Sequence, residues 1–544
     1  MKKTIYLILS VVFMLTSFSA CSVSRIDEEF YINAEVTGEP IKNLVGVMNQ
    51  FVLWENIDES YNGYIKERFP FVEYVQFMKA TGGNLQTDCF DDPENREVTD
   101  DYNFSKLLTA LHEAVDAGAV PWVKTGSIPL KLSDNPQLGT FGVNLREPYD
   151  YDLYYNYIKA MAQAVLDEFG AEEVAKWRWG VGTELNNPDW FIPNEGKDTV
   201  TEMCKIYDYS VKALEDVLGA DVFVGMHGLY DLDEFIIHCG TGTNYATGEI
   251  GSHIDYIADS YYARSPIQSA QWPVYEKLAH MREVAESVGL TDIIYGIDEG
   301  YILLGTDSKE LTNRKVGYSM QGANDAYFLH QFLDHDLDYL SQWSYTSTGI
   351  FGGIDTVSLH VANCFSKMVG SSRVEVTTDY ISELKRKEHT DAFAGFDVET
   401  DTLSVMAYHY QEGAYAARYK NTENMRFIIN APQLEGNVII TKYIINDSSN
   451  FFDDWVADWP ELGWYTDKDY DKAFFWSKDS EQCQTMQCIN GPENYQEFLN
   501  RVPEYTKAAE LIPVTETGVV QNGKLVLEHQ TTAQEVLFFT VEKA

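Results

Sequence analysis

The regular alternation of short apolar runs with amphipathic helical stretches constrains this chain most. Between residues 42 and 370, eight candidate strands are separated by helix-like segments, which is typical of repeated strand–helix units around a parallel sheet. The candidate strands are Leu44–Met48, Gly83–Thr87, Val120–Lys124, Trp177–Gly182, Val222–Met226, Tyr256–Ser260, Ile293–Ile297 and Tyr339–Trp343. Eight such units predict a (β/α)₈ barrel over residues 42–370, with loop insertions, rather than an open doubly wound sheet.

Helix signals agree with this pattern, because a glycine follows each of three predicted helices at the position where a helix is expected to stop. These helices are Tyr154–Phe169, Thr201–Leu218 and Val274–Val288.

The pattern changes after about residue 371 to short alternating strands separated by turn residues, which predicts an antiparallel β-sandwich over residues 371–544. The candidate strands are Leu403–Tyr410, Ala416–Tyr419, Met425–Ile429, Val438–Ile445, Gly518–Val520, Lys524–Glu528 and Val536–Val541. An aromatic and acidic insertion at about 451–511 interrupts them, with one helix-like piece near Tyr495–Leu511. Within the N-terminal segment 21–41, Glu29–Glu35 is a candidate for one more strand of the sandwich.

The N-terminus carries an export signal. Lys2 and Lys3 precede the apolar run Ile5–Phe18, and small residues then lead to Cys21, which is the order of a secretory signal peptide over residues 1–20. A cysteine directly after small residues resembles the bacterial lipobox, in which this cysteine is acylated. The alternative is an ordinary cleaved signal with an incidental cysteine, while the run is shorter than the roughly 20 apolar residues that span a bilayer. We expect an exported, membrane-anchored bacterial lipoprotein at the cell surface or in the periplasm.

Charge and cysteine content narrow the classes of partner. The chain has 40 Lys and Arg against 84 Asp and Glu, a formal net charge of −44, which repels phosphate backbones and argues against nucleic acid. Beyond Cys21, six cysteines are scattered through the chain, none of them with the CxxC spacing of a zinc site. Cys483 and Cys488 are close enough in sequence to pair, and free thiols are equally compatible with the spacing. No cofactor or metal is expected.

Two glutamates follow strands at the end where such a barrel carries its chemistry. Glu184 comes directly after the fourth candidate strand, and Glu299 follows the seventh. Glycoside hydrolysis with retention of configuration needs two carboxyl groups about 5 Å apart, one to protonate the leaving oxygen and one to attack the anomeric carbon. The 35 Tyr and 11 Trp of the chain add rings that are suited to the apolar faces of sugars.

The chain resembles the clan A glycoside hydrolases, and its details resemble glycoside hydrolase family 39, the β-xylosidase and α-L-iduronidase group. Ala117–Pro129 is similar to that family's third strand, and Glu184, Asn186 and Pro188 match its Glu-x-Asn-x-Pro pattern after the fourth strand. The resemblance implies that Glu184 is the general acid/base and Glu299 the nucleophile of a retaining hydrolase that needs no cofactor. It also implies that Asn186 contacts the substrate. Trp343, at the end of the eighth strand, would form the floor of the sugar subsite.

Two departures from the family pattern bear on activity. Thr183 stands before the acid/base where the family has Asn, and a hydroxyl cannot supply both the donor and the acceptor of an amide. The family's His on the sixth strand is absent, with Tyr261 and Tyr262 in its neighbourhood as candidate hydrogen-bond donors to the nucleophile. At the same rim, Asp88 after the second strand and His227 after the fifth are candidate contacts to sugar hydroxyls. For these two residues, as for Trp343 and the two tyrosines, packing behind the residues that touch the sugar is the alternative.

These residues favour an enzyme that acts on a glycan or oligosaccharide. The competing hypothesis is a non-catalytic carbohydrate-binding lipoprotein, either a barrel that has lost catalysis or a transporter-associated solute-binding protein. A solute-binding protein needs two α/β lobes around a hinge, whereas this chain ends in a predicted sandwich. The sugar and linkage, the anomeric configuration, the choice of exo or endo action and the oligomeric state stay open.

Overall fold

The structure, a computed structural model, describes residues 26–50, 69–77, 82–263, 273–303, 318–341, 354–378, 388–411, 420–462 and 492–544. Its strands in chain order are β1 (Glu28–Pro40), β2 (Val47–Gln50), β3 (Tyr74–Phe77), β4 (Val120–Lys124), β5 (Arg178–Gly180), β6 (Phe223–Gly228), β7 (Tyr256–Ala263), β8 (Ile294–Leu303), β9 (Tyr339–Leu340), β10 (Ser372–Thr378), β11 (Glu388–Asp397), β12 (Thr402–Gln411), β13 (Thr422–Asn430), β14 (Gly436–Ile445), β15 (Val514–Val520), β16 (Lys524–Thr532) and β17 (Glu535–Lys543).

Strands β2 to β9 form one parallel sheet in sequential order. The backbone amide of Leu340 in β9 donates to the carbonyl of Leu44, just before β2, at 2.8 Å, so the two edges of the sheet meet. The predicted barrel is therefore confirmed. The strand residues that face inward alternate with residues that pack under the surrounding helices, as the two-residue period of a strand requires.

The helices of the described chain lie mostly between the barrel strands. They are Ser105–Asp116, Tyr151–Phe169, Ala171–Val174, Thr199–Leu218, Asp233–Thr241, Val274–Ser287, Ser319–Asp334, Val357–Ser366, Phe452–Leu462 and Pro492–Ala508, with short 3₁₀ turns at Leu130–Leu132, Pro432–Leu434 and Asp447–Ser449. Two long helices begin two or three residues before the predicted starts because Asp150 and Asp198 cap them, accepting backbone N–H groups with their side chains.

The second barrel strand does not lie at the predicted Gly83–Thr87. Gly83–Thr87 forms a turn, and β3 lies earlier, at Tyr74–Phe77. Gly83 has a φ of +75°, which a strand does not tolerate, and the side chain of Asn84 accepts the amides of Gln86 and Thr87 in an Asx turn. The true strand was overlooked because Gln76, at an inward position, interrupts its apolar run.

The remaining nine strands form a second sheet in the order β15-β14-β17-β12-β11-β10-β1-β13-β16. The sheet folds over a separate apolar core, as the contact between Phe427 of β13 and Phe539 of β17 shows, with ring centroids 5.2 Å apart across strands that are not neighbours. It is mixed rather than purely antiparallel, because β1 pairs parallel with β13 while it pairs antiparallel with β10. The helix Ser319–Asp334 joins the two units, with His330 Nδ1 lying 3.0 Å from the hydroxyl of Tyr408 in β12.

Several expectations fall outside the described residues. They concern the signal peptide 1–20, Cys21, the predicted strand Ala416–Tyr419, Cys483, Cys488 and Trp343. Among the residues that the structure does describe, no helix has the length and apolar character needed to cross a membrane. The four described cysteines at 89, 204, 239 and 364 are buried free thiols.

Candidate active site

Aromatic side chains and one arginine fill the lower half of the barrel. Trp122, Tyr256 and Tyr339 pack together from three strands. The guanidinium of Arg178 lies over the rings of Tyr74, Trp122 and Phe223, at 3.9, 5.0 and 4.6 Å from their centroids. Such cation–π contacts stabilise the half-buried charge of Arg178. This layer closes the bottom of the barrel and leaves its upper end for the site.

A buried ion pair forms the next layer. The ammonium of Lys124 donates to Asp298 and, at 2.6 Å, to the hydroxyl of Tyr256, and neither charged side chain is exposed. The other Asp298 oxygen accepts hydrogen bonds from Gln76 Nε2 at 2.8 Å and from the Tyr339 hydroxyl. Burial opposes ionisation of Asp298, but Lys124 and His227 outweigh it and hold the pKa of this carboxyl below its usual range. Burial lowers the pKa of Lys124 to about 8, although Asp298 opposes the shift.

A β-bulge presents two consecutive acids to the barrel interior. In the pairing of β7 with β8, Asp259 lies opposite Ile297 and Ser260 lies opposite Glu299, so Asp298 is the extra residue. Neighbouring residues of a regular strand point to opposite faces, and a bulge re-aims them. Asp298 therefore reaches down to Lys124 while Glu299 stays at the upper end of the barrel.

Glu184 sits in a strained turn directly after β5. Its φ of +43° lies in the left-handed region that residues other than glycine rarely adopt. The turn is held by the Asn187 amide, which donates to the Glu184 carbonyl at 2.7 Å, and by the Asn187 side chain, whose Nδ2 donates to Glu184 Oε2 at 2.6 Å. The same residue thus fixes both the backbone and the carboxylate of Glu184.

The structure brings Glu184 and Glu299 together although they are 115 positions apart in sequence. One carboxylate oxygen of each and a ring nitrogen of His227 all lie within 4.8 Å of one another, and the three side chains are buried. Carboxyl groups of retaining glycosidases are about 5 to 5.5 Å apart, and those of inverting enzymes about 6.5 to 9.5 Å, to leave room for a water. An approach of carboxylate oxygens to within 4.8 Å is compatible with the shorter, retaining separation.

A second buried carboxyl, Asp259, lies beside this cluster. Its Oδ2 accepts the ammonium of Lys277 at 2.8 Å. Burial raises the pKa of Asp259 to about 6, with Lys277 opposing the shift and the charge of Glu184 adding to it. Asp259 therefore adds a titratable charge to the electrostatic surroundings of Glu184.

Two predicted substrate contacts have backbone partners. Asn186 accepts the amide of Leu229 at 2.9 Å and donates to the carbonyl of Asp231 at 3.3 Å, so its side chain ties the loops after β5 and β6 together. Gly228 allows this contact, because a Cβ there would come within 2.7 Å of the Asn186 amide. The two carboxylate oxygens of Asp88 accept the amides of Gly83 and Leu130, at 2.6 and 2.7 Å. Both residues position loops of the site.

The other predicted contacts are placed as follows. Thr183 is buried directly before Glu184, and His227 is buried in β6 beside both glutamates. The ring of Tyr261 packs on Phe328 of the helix Ser319–Asp334, with centroids 5.2 Å apart. Tyr262 lies in β7, and its side chain is outside the described part of the chain, as is the whole of Trp343.

Sequence reasoning missed Asn187, Lys124 and Asp298. A signal for Asn187 was available, since it is the second of two consecutive asparagines and lies three residues after Glu184. Lys124 is the last residue of β4, and Asp298 directly precedes Glu299. A charged residue inside an apolar barrel strand needs a partner of opposite charge. Which acid serves Lys124, out of 84, became visible only in the folded barrel.

Comparisons with known proteins identify the family and the architecture of this chain. The sequence profile of glycosyl hydrolases family 39 matches residues 84–364, slightly more than half of the chain. A β-xylosidase from Caldicellulosiruptor saccharolyticus is 22% identical over 146 residues, which cover 27% of this chain and 28% of that protein. The aligned segment is thus less than a third of the curated relative's length.

Solved structures share the fold over nearly the whole chain. A GH39 enzyme from Xanthomonas axonopodis pv. citri superposes with a TM-score of 0.66 and 13% identity, covering 97% of this chain and 99% of that one. A monomeric β-xylosidase from Caulobacter crescentus CB15 gives a TM-score of 0.64 at 13% identity, covering 95% and 99%. A bacterial orthologue of human α-L-iduronidase gives 0.65 at 12% identity, covering 96% and 84%. At such low identity these similarities establish the architecture of barrel plus β-sandwich.

Proposed function

Because this chain belongs to glycosyl hydrolases family 39, we propose that it hydrolyses glycosidic bonds of a glycan or oligosaccharide by a retaining double displacement. The observation that carries the proposal is the approach of the Glu184 and Glu299 carboxylates to within 4.8 Å at the C-terminal end of the barrel strands. Only a short separation lets one carboxylate attack the anomeric carbon while the other serves the leaving oxygen of the same bond.

The two steps divide between the glutamates. Glu184 donates a proton to the glycosidic oxygen as the bond to the anomeric carbon breaks, and an oxygen of Glu299 bonds to that carbon from the opposite face. Glu184, now ionised, then takes a proton from a water molecule that attacks the same carbon, and the ester bond to Glu299 breaks. Protonation of Glu184 is thus restored, and the configuration is retained.

Surrounding residues of this chain support those roles. The Asn187 hydrogen bond orients the Glu184 carboxylate, and the strained turn that Asn187 also holds aims it at the barrel axis. Asp298 and Lys124 together place one negative and one positive charge beneath Glu299, so this layer adds no net charge to the site. We propose that His227 and Thr183 contact sugar hydroxyls and that Trp343 floors the subsite.

The non-catalytic hypothesis is not favoured. A solute-binding protein would need two lobes around a hinge, whereas the described chain forms one barrel and one separate sheet. A barrel that had lost catalysis would have no reason to keep two carboxylates at the retaining distance, with one of them in a strained conformation.

We propose further that the protein is exported and anchored by a lipid on Cys21, on the basis of the charged, apolar and small-residue order of its first 21 residues. Acylated protein should partition with membranes, and Cys21→Ala should release it. Full-length protein that stays soluble with an unmodified Cys21 would contradict the anchor.

The test of the reaction uses two variants with different expected defects. A screen of aryl glycosides, starting with aryl β-xylosides and aryl α-L-iduronides because similar proteins bear those names, first identifies a substrate. Glu299→Gln cannot form the covalent intermediate, so we expect kcat to fall by about 10⁴-fold or more with every leaving group.

Glu184→Ala should behave differently, because an activated phenol leaves without protonation. The glycosyl-enzyme should form and persist, visible as an added sugar mass on Glu299, and azide should restore turnover and yield a glycosyl azide of retained configuration. A glycosyl azide of inverted configuration from Glu184→Ala, and of retained configuration from Glu299→Ala, would exchange the roles. Unchanged rates in both variants would place the active site elsewhere.

A further inference from the structure

Three side chains of the site together form a set of possible metal ligands, although the hydrolytic reaction requires no metal. Glu184, His227 and Glu299 are 3%, 1% and 5% exposed. A single atom from each lies within 4.8 Å of the other two. The two chemical steps use the two carboxylates, and the imidazole of His227 beside them adds a nitrogen that takes no part in either step.

The surroundings of His227 leave a nitrogen to coordinate. Within the described residues, neither ring nitrogen has a hydrogen-bond partner of good geometry, although the ring is buried. Nδ1 lies 3.2 Å from Asp298 Oδ2. A carboxylate beside one ring nitrogen favours the proton there and leaves the lone pair on the other, which is the arrangement of many metal-binding histidines. Asp298 is itself fixed by Lys124, Gln76 and Tyr339.

We infer that Glu184, His227 and Glu299 form a binding site for a divalent transition-metal ion such as Zn²⁺. One neutral imidazole and two carboxylates is a known zinc donor set, with bonds of about 2.0–2.2 Å. Ligand atoms around a tetrahedral ion are then about 3.4 Å apart, so the three groups need to close by at most about 1.5 Å. Rotation of the Glu299 side chain, together with a turn of the Glu184 carboxylate that gives up its hydrogen bond from Asn187, supplies this movement. Mg²⁺ and Ca²⁺ require six or more ligands, mostly oxygens, and fit poorly.

The ion would act as an inhibitor rather than as a cofactor. It would occupy the space between the two carboxylates where the scissile bond must lie, and it would hold both groups ionised, so that Glu184 has no proton to donate. Inhibition therefore depends on the proposed function, whereas metal binding does not.

Binding is tested by calorimetric titration of Zn²⁺ into the chelator-treated full chain at pH 7. We expect one strong site, and His227→Phe should weaken its affinity by about 100-fold or more through the loss of one ligand. His253→Phe is the matched control, because His253 also lies between two carboxylates, 3.1 Å from Glu215 and 3.0 Å from Asp255, but outside the site. The affinity of His253→Phe for Zn²⁺ should equal that of the wild type.

Glu184→Gln and Glu299→Gln keep the side-chain shape and provide a second route to the same result if His227→Phe does not fold. Both should weaken zinc binding, and circular dichroism checks that each variant is folded. Absence of strong zinc binding by the wild type, or equal binding by His227→Phe and the folded glutamine variants, would overturn the inference.

Kinetics separate this inference from the proposed function. Zn²⁺ should inhibit hydrolysis competitively, a chelator should reverse the inhibition, and Mg²⁺ should have no effect. If zinc binds with the expected dependence on His227 but no glycoside is hydrolysed under any condition, the metal site stands and the proposed reaction fails. If hydrolysis is normal and zinc does not bind, the metal site alone is wrong.

Discussion

The interior of the barrel and the interior of the β-sandwich are built from opposite kinds of side chains. The barrel encloses Arg178, Lys124, Asp298 and His227 among its aromatic rings. The main core of the sandwich is a cluster of aliphatic and aromatic residues, among them Ile429, Phe427 and Phe539, and buried polar side chains such as His409 and Glu535 lie outside that cluster. Burial of charge costs free energy even when the charges are paired, because the loss of hydration can exceed the attraction within the pair, while apolar burial stabilises. The difference indicates that the barrel gives up stability to position its site, whereas the sandwich contributes stability.

The largest effect is expected where a charge of the barrel loses its partner. Lys124→Met leaves Asp298 buried with hydrogen bonds but without its cation, and we expect a loss of about 3–5 kcal/mol in the free energy of unfolding. Activity should fall as well, because Asp298 adjoins Glu299 and faces His227. Urea unfolding and steady-state kinetics measure the two effects.

The double variant Lys124→Met, Asp298→Asn is the control for that result. It removes both charges and retains hydrogen-bonding groups for Gln76 and Tyr339, so it should recover most of the lost stability. A double variant as unstable as Lys124→Met would mean that packing volume, and not charge, limits this layer.

A smaller, pH-dependent effect is expected at Asp88. Burial raises the pKa of Asp88 to about 7, although the amides of Leu130 and Gly83 oppose the shift. The pKa of Asp88 in the folded protein lies above its ordinary value of 3.8, so the folded state holds the proton more tightly than the unfolded state does. The contribution of Asp88 to the free energy of unfolding therefore falls as the pH rises from about 4 to about 7. The asparagine of Asp88→Asn does not titrate over that range. The free energy of unfolding of this variant, relative to that of the wild type, should therefore rise by up to roughly 4 kcal/mol.

Urea unfolding at pH 4 and pH 8 measures this difference. Asp116→Asn serves as the control, because Asp116 is exposed at the end of the helix Ser105–Asp116 and the relative stability of that variant should change little. A relative stability of Asp88→Asn that falls with rising pH would show that the two backbone amides outweigh burial.

The smallest effect is expected in the sandwich core. Ile429→Val removes one methylene group from a fully buried position in β13, which should cost about 0.5–1.5 kcal/mol. Because the sandwich core is separate from the core around the site, kcat should be unchanged. A loss of activity without a comparable loss of stability would mean that the sandwich shapes the site, and the division of tasks between the two interiors would be wrong.

Much of the fold could be predicted from local patterns in the chain. Apolar runs of strand length indicated seven of the eight barrel strands, and β4 was predicted to the residue at Val120–Lys124. Capping by Asp150 and Asp198 set the helix starts that periodicity alone placed two or three residues late. The failure at β3 has the same local origin, since an inward polar residue, Gln76, hides the strand, while a glycine turn at Gly83 imitates one.

Within the site, the sequence by itself determined which end of the barrel carries Glu184 and Glu299, because a residue's position relative to its own strand is a local property. Tertiary structure decided the rest. Lys124 finds Asp298 across 174 positions, and a bulge in β8 turns two consecutive acids toward the same interior. Asn187 contacts the Glu184 carboxylate across a turn in which Glu184 is left-handed, and this conformation cannot be read from the spacing. Periodicity tells which face of a strand a side chain occupies, but closure of the barrel and departures from regular geometry determine which side chains meet there.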